Sequence, residues 1–283
     1  MANLLVDQTH FDFKAIQLAL LRIITRMAQA ENNVEIKSLG STLLEIGALL
    51  MVSGASTNRI RTTIDRISNS FGYDADMMIS QRNLTINITD EENDHIFNSL
   101  KRTSPHGINF VVLSGISRMS WKVVEEKWPV EKINEEIKRL VALPHYPRIV
   151  VLSFVAIAGA SFCRLSNGGW LDMLLVFVGT FFGLFVKQEA AKHRFNPYLC
   201  VYFAAFTSSL IVGLADKFDA VNNHEHAFAT SVLFLIPGVP LINSFSDLID
   251  GNLNNGLIRG LNGFIIAFSI AMGLLTSMFI YHL

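Results

Sequence analysis

The stretch 234–252 reads FLIPGVPLINSFSDLIDGN and follows the apolar run AFATSVL without interruption. Its hydropathy asks for a membrane span. Pro237, Gly238, Pro240, Asn243, Asp247 and Asp250 ask for something other than a plain helix. Counting from Ala227, Pro237 falls near the bilayer midplane. A proline has no backbone N–H and clashes with the carbonyl four residues earlier. Pro237 therefore releases the carbonyl of Leu233, and Pro240 that of Ile236. Unpaired backbone in hydrocarbon is tolerated only where it meets protein or a water-filled cavity. A new half-helix beginning near Pro240 aims its free amides at the midplane, an arrangement that attracts carboxylates. Asn243 follows on the next turn, and Asp247 lies one turn further on the same face. The segment is expected to form part of a substrate site in a transport path. A kink used only for packing is the plain alternative.

Composition agrees with a membrane setting. The 283 residues are 51% hydrophobic and 17% charged, with mean hydropathy +0.38. Soluble proteins carry about 25% charged residues. The charge is lopsided: of 47 acidic and basic residues, 34 lie at or before Arg148 and 13 after it. This divides the chain into residues 1–147, an α+β domain expected in the cytoplasm, and residues 148–283, a membrane domain. Net charge is −1, which offers no footprint for nucleic acid. Cys163 and Cys200, both in apolar runs, suggest neither a disulfide framework nor a thiolate metal site. Asp7, Asp12, Lys14 and Arg22 interrupt any signal-peptide core.

In the first half, periodicity predicts helices over 13–30, 36–54, 56–72, 110–126 and 130–143. Gly54 and Gly72 are expected terminators, Ser56 or Thr57 an N-cap. Alternation in LTINIT, with MMIS before it and HIFNSLK after DEEND, predicts a small antiparallel meander. Pro144 and Pro147 mark the exit to the membrane.

Five spans follow, over 149–165, 170–186, 197–215, 227–247 and 257–283, the first two at the short edge of the 17–25 residues a span needs. Lysine and arginine set the orientation. Arg139, Arg148, Lys187, Lys192, Arg194 and Arg259 flank one side, Arg164 and Lys217 the other. The expectation is an N-terminus inside and a C-terminus outside. The fold class is thus a polytopic α-helical membrane protein of five spans with an N-terminal cytoplasmic α+β domain.

At this point the sequence resembles the threonine/serine exporter family. PGVPLINSFSDLIDGN is similar to its Pro-Gly-x-Pro core followed by Asn and Asp. LLEIGALLMVSGASTNRIRTTIDRISNSFGY resembles its cytoplasmic opening, and SPHGINFVVLSGISRMSWKVVEE its next block. The resemblance covers Ser38 to the C-terminus. It implies a bacterial inner-membrane exporter of small polar metabolites. Fused members carry both membrane halves in one chain. This chain stops after five spans and so resembles the longer half of a split exporter. Such members are linked to succinate-type dicarboxylates as well as to amino acids. A small membrane-protein partner, or a homo-oligomer, is then expected to supply the missing half.

The residues assigned to substrate are Pro237, Gly238, Val239, Pro240 and Asn243. Asp247 and Asp250 are the candidates for proton coupling, although Asp250 also suits a turn before Gly251. Arg59 and Asp65 are candidates for a cytoplasmic vestibule, against the commoner reading of a solvated face. Gly179 and Gly183, and Gly256, Gly260 and Gly263, have the spacing that lets helices approach closely. Asp172 is an intramembrane carboxylate, or an interfacial one beside Trp170. His224 and His226 form only a weak metal signal. No G-x-S-x-G elbow, H-E-x-x-H or P-loop is present, so no catalytic residue, metal or cofactor is assigned and ATP drive is not implied. Two other classes remain possible on sequence: a membrane-anchored enzyme, and a scaffold or sensor whose spans only anchor it.

Overall fold

The computed structural model describes residues 36–89, 95–104, 107–144, 146–216 and 224–281. The helix expected over 13–30, the DEEND turn and most of the 216–226 loop, together with the side chains of His224 and His226, lie outside them. Two compact units divide between Ala142 and Leu143.

The first unit opens with α1 (36–52). It stops as glycine chemistry dictates: Gly54 takes φ 89°, and the Ala55 N–H bonds the Leu50 carbonyl at 3.0 Å. That six-to-one bond satisfies a carbonyl the helix end leaves open. Ser56 then caps α2 (Thr57–Ser70), its hydroxyl accepting from the Arg59 N–H. Gly72, at φ 81°, ends that helix in the same way, with Tyr73 N–H on Ser68 O at 3.1 Å. The meander follows as β1 (Asp74–Ile79), β2 (Asn83–Thr89) and β3 (His95–Arg102), antiparallel in that order. Met77 pairs with Ile86, and Ile88 with Phe97. Because side chains alternate along a strand, Ala75, Met77, Leu84, Ile86 and Ile88 are buried together. They form a core with Leu43 and Leu50 of α1 and Ile60, Ile64 and Ile67 of α2. Helix α1 lies close on the sheet because Gly40 and Gly47 leave room for Phe97 and Leu84. Helices α3 (Phe110–Glu126) and α4 (Val130–Val141) complete the unit, α4 burying its expected stripe Val130, Ile133, Ile137 and Leu140.

The second unit is helical. Pro147 stands at the N-cap of α5 (Arg148–Leu165), followed by α6 (Trp170–Lys192) and α7 (Pro197–Asp216). Next come α8 (His224–Ser231), a 3₁₀ turn at Leu233–Leu235, α9 (Gly238–Ile249) and α10 (Leu253–Tyr281). Among the described residues four helices, α5, α6, α7 and α10, are long and apolar enough to cross a membrane. The pair Ala227–Leu235 and Gly238–Ile249 passes only when taken together, bent by 64°. The described residues are mostly helical, with four to five candidate spans and one small sheet among them. Helix α6 runs six residues beyond the expected end at Val186, carrying Lys187, Glu189 and Lys192.

Helix directions follow from the contacts. Helix α5 is antiparallel to α6: Gly159 faces Thr180, while Arg148 reaches Gln188 and Glu189 at 2.7 and 2.9 Å. Helix α6 is antiparallel to α7. Gly179 faces the Ser208 carbonyl, and Gly183 the Ala204 carbonyl. Helix α10 runs parallel to α7: Tyr198 hydroxyl donates to Asn262 at 2.8 Å, Tyr202 to Thr276 at 3.3 Å, and Tyr281 to the Leu210 carbonyl at 3.0 Å. The glycines expected to serve helix contacts are thus used within the chain. Gly179 and Gly183 admit α7, whereas Gly256, Gly260 and Gly263 admit α9.

Candidate functional site

The break is built from proline sterics. A residue before proline is pushed out of the α region, and Ile236 sits at φ −59°, ψ 125°. Pro237 follows at φ −80°, ψ 60°. Those angles, with the Gly238 N–H on the Ile236 carbonyl at 2.9 Å, make an inverse γ-turn centred on Pro237.

The two carbonyls expected to be released are both occupied. Leu233 O accepts from the Ile236 N–H at 3.1 Å, and Ile236 O from Gly238. The orphan arises earlier instead. Leu235 N–H turns to Val232 O at 3.0 Å, a 3₁₀ bond that abandons the Ser231 carbonyl. Two hydroxyls from other helices take its place: Ser208 of α7 at 2.7 Å and Thr180 of α6 at 3.4 Å. Thr180, Ser208 and Ser231 are fully buried. Tertiary hydroxyls thus satisfy the backbone opened by the break, as the absence of water in a bilayer requires.

The new half-helix starts at Gly238 rather than Pro240. Its amides are few: Gly238 is bonded, Pro240 has none, and Leu241 N–H returns to Pro237 O at 3.1 Å. Val239 carries the free N–H of this first turn. Gly238 has neither of the usual reasons to be glycine. Its φ is not positive, and a Cβ there would meet nothing within 4 Å. The space beside the backbone at this point is open. In depth, the break lies against the N-terminal half of α7, not halfway along it. Leu235 packs with Val201, Ala204 and Ala205, and Pro237 approaches Gly263, next to the Tyr198–Asn262 bond.

Beyond the break, α9 folds back on α10 through Asp250 and Gly251, the latter at φ 80°. Ser244 donates to the Gly256 carbonyl at 2.7 Å across this hairpin. The same packing carries Asp247 against Arg259. Asp247 is fully buried, the Arg259 side chain is 18% exposed, and Nη1 lies 3.2 Å from Oδ2. The two atoms form an ion pair without hydrogen-bond alignment. Asn243, one turn before Asp247, is half-buried and itself partnered. Asp250 is exposed at the helix end, accepting from Ser246 at 3.4 Å. Sequence reasoning treated Arg259 only as a flanking charge. The available signal was that this arginine alone carries charge in the 29 residues of α10.

Other candidates fall elsewhere. Asp172 is buried and caps α6, accepting the Gly169 N–H at 2.7 Å, a structural duty. Cys163 and Cys200 are buried free thiols, and no group of three or more metal-ligating side chains occurs among the described residues. Arg59 is exposed on α2, and a six-residue separation turns Asp65 to another face. Burial pushes the Asp65 carboxyl above its ordinary range; Arg61 opposes this, and Asp74 and Asp76 add to it. A raised carboxylate pKa lowers stability once the unfolded chain ionises, and costs nothing when both states are protonated. Asp65→Asn is therefore expected to raise the thermal midpoint by up to about 2 °C near pH 7 and to leave it unchanged near pH 3. Thermal unfolding of the purified chain at the two pH values checks this.

Comparison with known proteins agrees with the geometry. The sequence profile of the threonine/serine exporters, ThrE, matches residues 41–281. The "Probable succinate transporter subunit YjjP" of Escherichia coli is 24% identical over 241 residues, covering 85% of this chain and 93% of the relative. Its namesake in Klebsiella aerogenes is 26% identical over 245 residues, with the same coverage. The "Threonine/serine exporter" of Corynebacterium glutamicum is 24% identical over 216 residues, 73% of this chain but 44% of that protein. No solved structure matches. These are transporters rather than enzymes, which removes the anchored-enzyme reading and makes the apolar helices those of a multi-pass membrane protein. With its profile running through both units and across the proline break, the chain belongs to the threonine/serine exporter family.

Proposed function

We propose that the chain is one subunit of a proton-driven exporter of small carboxylate-bearing metabolites, dicarboxylates such as succinate or the amino acids threonine and serine. The observation that carries this reading is the open backbone at Gly238. Glycine stands there without conformational or packing need, at the bend in the broken apolar helix pair. Glycine also serves where a ligand must approach the main chain. Pro237, Gly238, Val239 and Pro240 then shape the substrate path, with Asn243 on the next turn. Asp247 is the proton carrier, released from Arg259 when protonated. Asp250, one turn on and exposed, receives protons from water. Arg59, exposed on α2, and Asp65, on another face of the same helix, are the vestibule candidates of the first unit.

Five crossings suit the helix directions. Since α7 and α10 run parallel, the chain from the end of α7 to the start of α10 must return across the layer, and the bent pair is what lies between. Arg148, Lys187, Lys192, Arg194 and Arg259 gather at one end, which favours that end inside a bacterial inner membrane, with the C-terminus outside. The word "subunit" in the YjjP names, and the greater length of the Corynebacterium relative, favour a partner membrane protein; a homo-oligomer is the other way to enclose a path.

Efflux of threonine, serine and succinate from loaded vesicles tests the reading, with this chain alone and with a small partner. Gly238→Val is expected to lower the rate at least about tenfold, since 1.4 kcal/mol of lost stabilisation is already that factor. Its thermal midpoint should match the parent's. Equal rates would show that nothing needs the space beside Gly238.

A further inference from the structure

Three of the six described lysines and arginines of the second unit are paired with acids, and Arg164 reaches the Gly168 carbonyl at 3.2 Å and the Trp170 ring. Arg148 and Lys192 both reach Glu189, at 2.9 and 3.2 Å, and Arg259 reaches Asp247. Arg194 is exposed. Lys187 differs: it is half-buried within α6, and no carboxylate lies within ion-pair reach of it among the described residues. Its direction follows from the antiparallel α6–α7 pair. A Cβ at Gly183 would stand 2.9 Å from the Ala204 carbonyl and 3.1 Å from the Phe234 ring. One turn further along α6 is Lys187 and one turn back along α7 is Cys200, so these positions lie on the facing sides of the antiparallel pair. Cys200 is 3% exposed. The lipid-exposed positions of this part of α6 are instead Phe182 and Phe185, at 49% and 40%. Lys187 is thus half-buried on the face of α6 that packs against α7.

We propose that Lys187 receives a carboxylate of the transported solute. A half-buried cation at the end of a span, with no carboxylate in reach among the described residues, is costly and is a candidate contact for an anionic ligand. The anion it lacks is the one group common to succinate, threonine and serine. An ammonium reads such a group as a point charge rather than by bidentate shape. One lysine therefore serves both a dicarboxylate and an amino acid, and selectivity must come from elsewhere along the path. This inference rests on the export reading above.

The test uses the full chain, with a small partner subunit where the chain alone is inactive, reconstituted in vesicles with succinate as the probe. Lys187→Met is expected to raise KM for succinate at least about tenfold while leaving the maximal rate within about twofold, the signature of a lost uniform binding contact. Lys187→Arg keeps the charge and should recover most of the affinity. A lysine needed only for packing would instead lower the thermal midpoint and the maximal rate together, with KM unchanged, and that result overturns the assignment. An anionic lipid headgroup is another source of negative charge. If the Lys187→Met defect appears only in vesicles containing phosphatidylglycerol and leaves KM unaltered, the lysine serves lipid and the assignment falls. Absence of transport of any carboxylate by the parent protein in either format would overturn the export reading itself, a failure distinct from the other two.

Discussion

Arg259→Met is expected to destabilise the protein by about 3–5 kcal/mol, because it strands the Asp247 carboxylate in a site with no access to water. Asp247→Asn alone leaves the arginine charge inside, although that side chain keeps some exposure and can reorient, so the loss should be smaller. The double variant, Asp247→Asn with Arg259→Gln, removes both charges and should recover most of the stability. A buried pair often contributes little net stabilisation over neutral groups of similar shape. Transport separates the roles. If Asp247 carries the proton, the double variant folds, inserts and fails to couple efflux to a pH gradient. Gradient-driven efflux at the parental rate in the double variant would remove Asp247 from the coupling mechanism and leave the pair a structural tie between α9 and α10. Thermal midpoints in detergent and efflux at imposed pH gradients measure the two quantities independently.

Pro237→Ala together with Pro240→Ala should abolish transport while leaving the protein inserted. The pair of substitutions restores two backbone donors and frees Ile236 to enter the α region. Proline in a helix interior costs about 3 kcal/mol relative to alanine. Its removal therefore shifts the balance towards a continuous helix from α8 into α9. A straight helix has no 64° bend. Leu235 N–H would then return to the Ser231 carbonyl, competing with Ser208 and Thr180 for it. It would also carry α9 away from Gly256, Gly260 and Gly263, against which Leu248, Ser244 and Leu241 pack. The open backbone at Gly238 closes into ordinary helix. Efflux from loaded vesicles, with a cross-link between cysteines placed on α9 and α10 to report their contact, reads both consequences. Parental transport by the double variant would mean the break is a packing kink.

The membrane helices explain why part of this site could be read in advance and part could not. The break itself is local chemistry. Proline acts on its own and the preceding residue, so IPGVP dictates an unwound turn whatever surrounds it. The stripes of α2 and α4 and the alternation of β2 were legible for a related reason: in water, a buried face differs in composition from an exposed one. Helices α5, α6 and α7 are apolar on all sides, since lipid-facing and protein-facing positions are equally hydrophobic. Periodicity there carries little information about facing. So the sequence could name Gly179 and Gly183 as contact residues but not α7 as the helix they admit. It could place Arg259 near one end of the membrane layer but not turn it onto Asp247.

By itself, then, the sequence determined the charged first half, the meander, the apolar spans, the family and the position of the helix break, because each depends on composition or on chemistry within a few residues. Only the tertiary structure decided which groups occupy the opened backbone and where the remaining gap falls. Ser208 and Thr180 reach the Ser231 carbonyl from two different helices. The open space then lies beside the half-buried backbone at Gly238 rather than at the freed carbonyls. The physical reason is that an unpaired polar group in hydrocarbon must find a partner, and which partner it finds is a matter of which helices lie beside it.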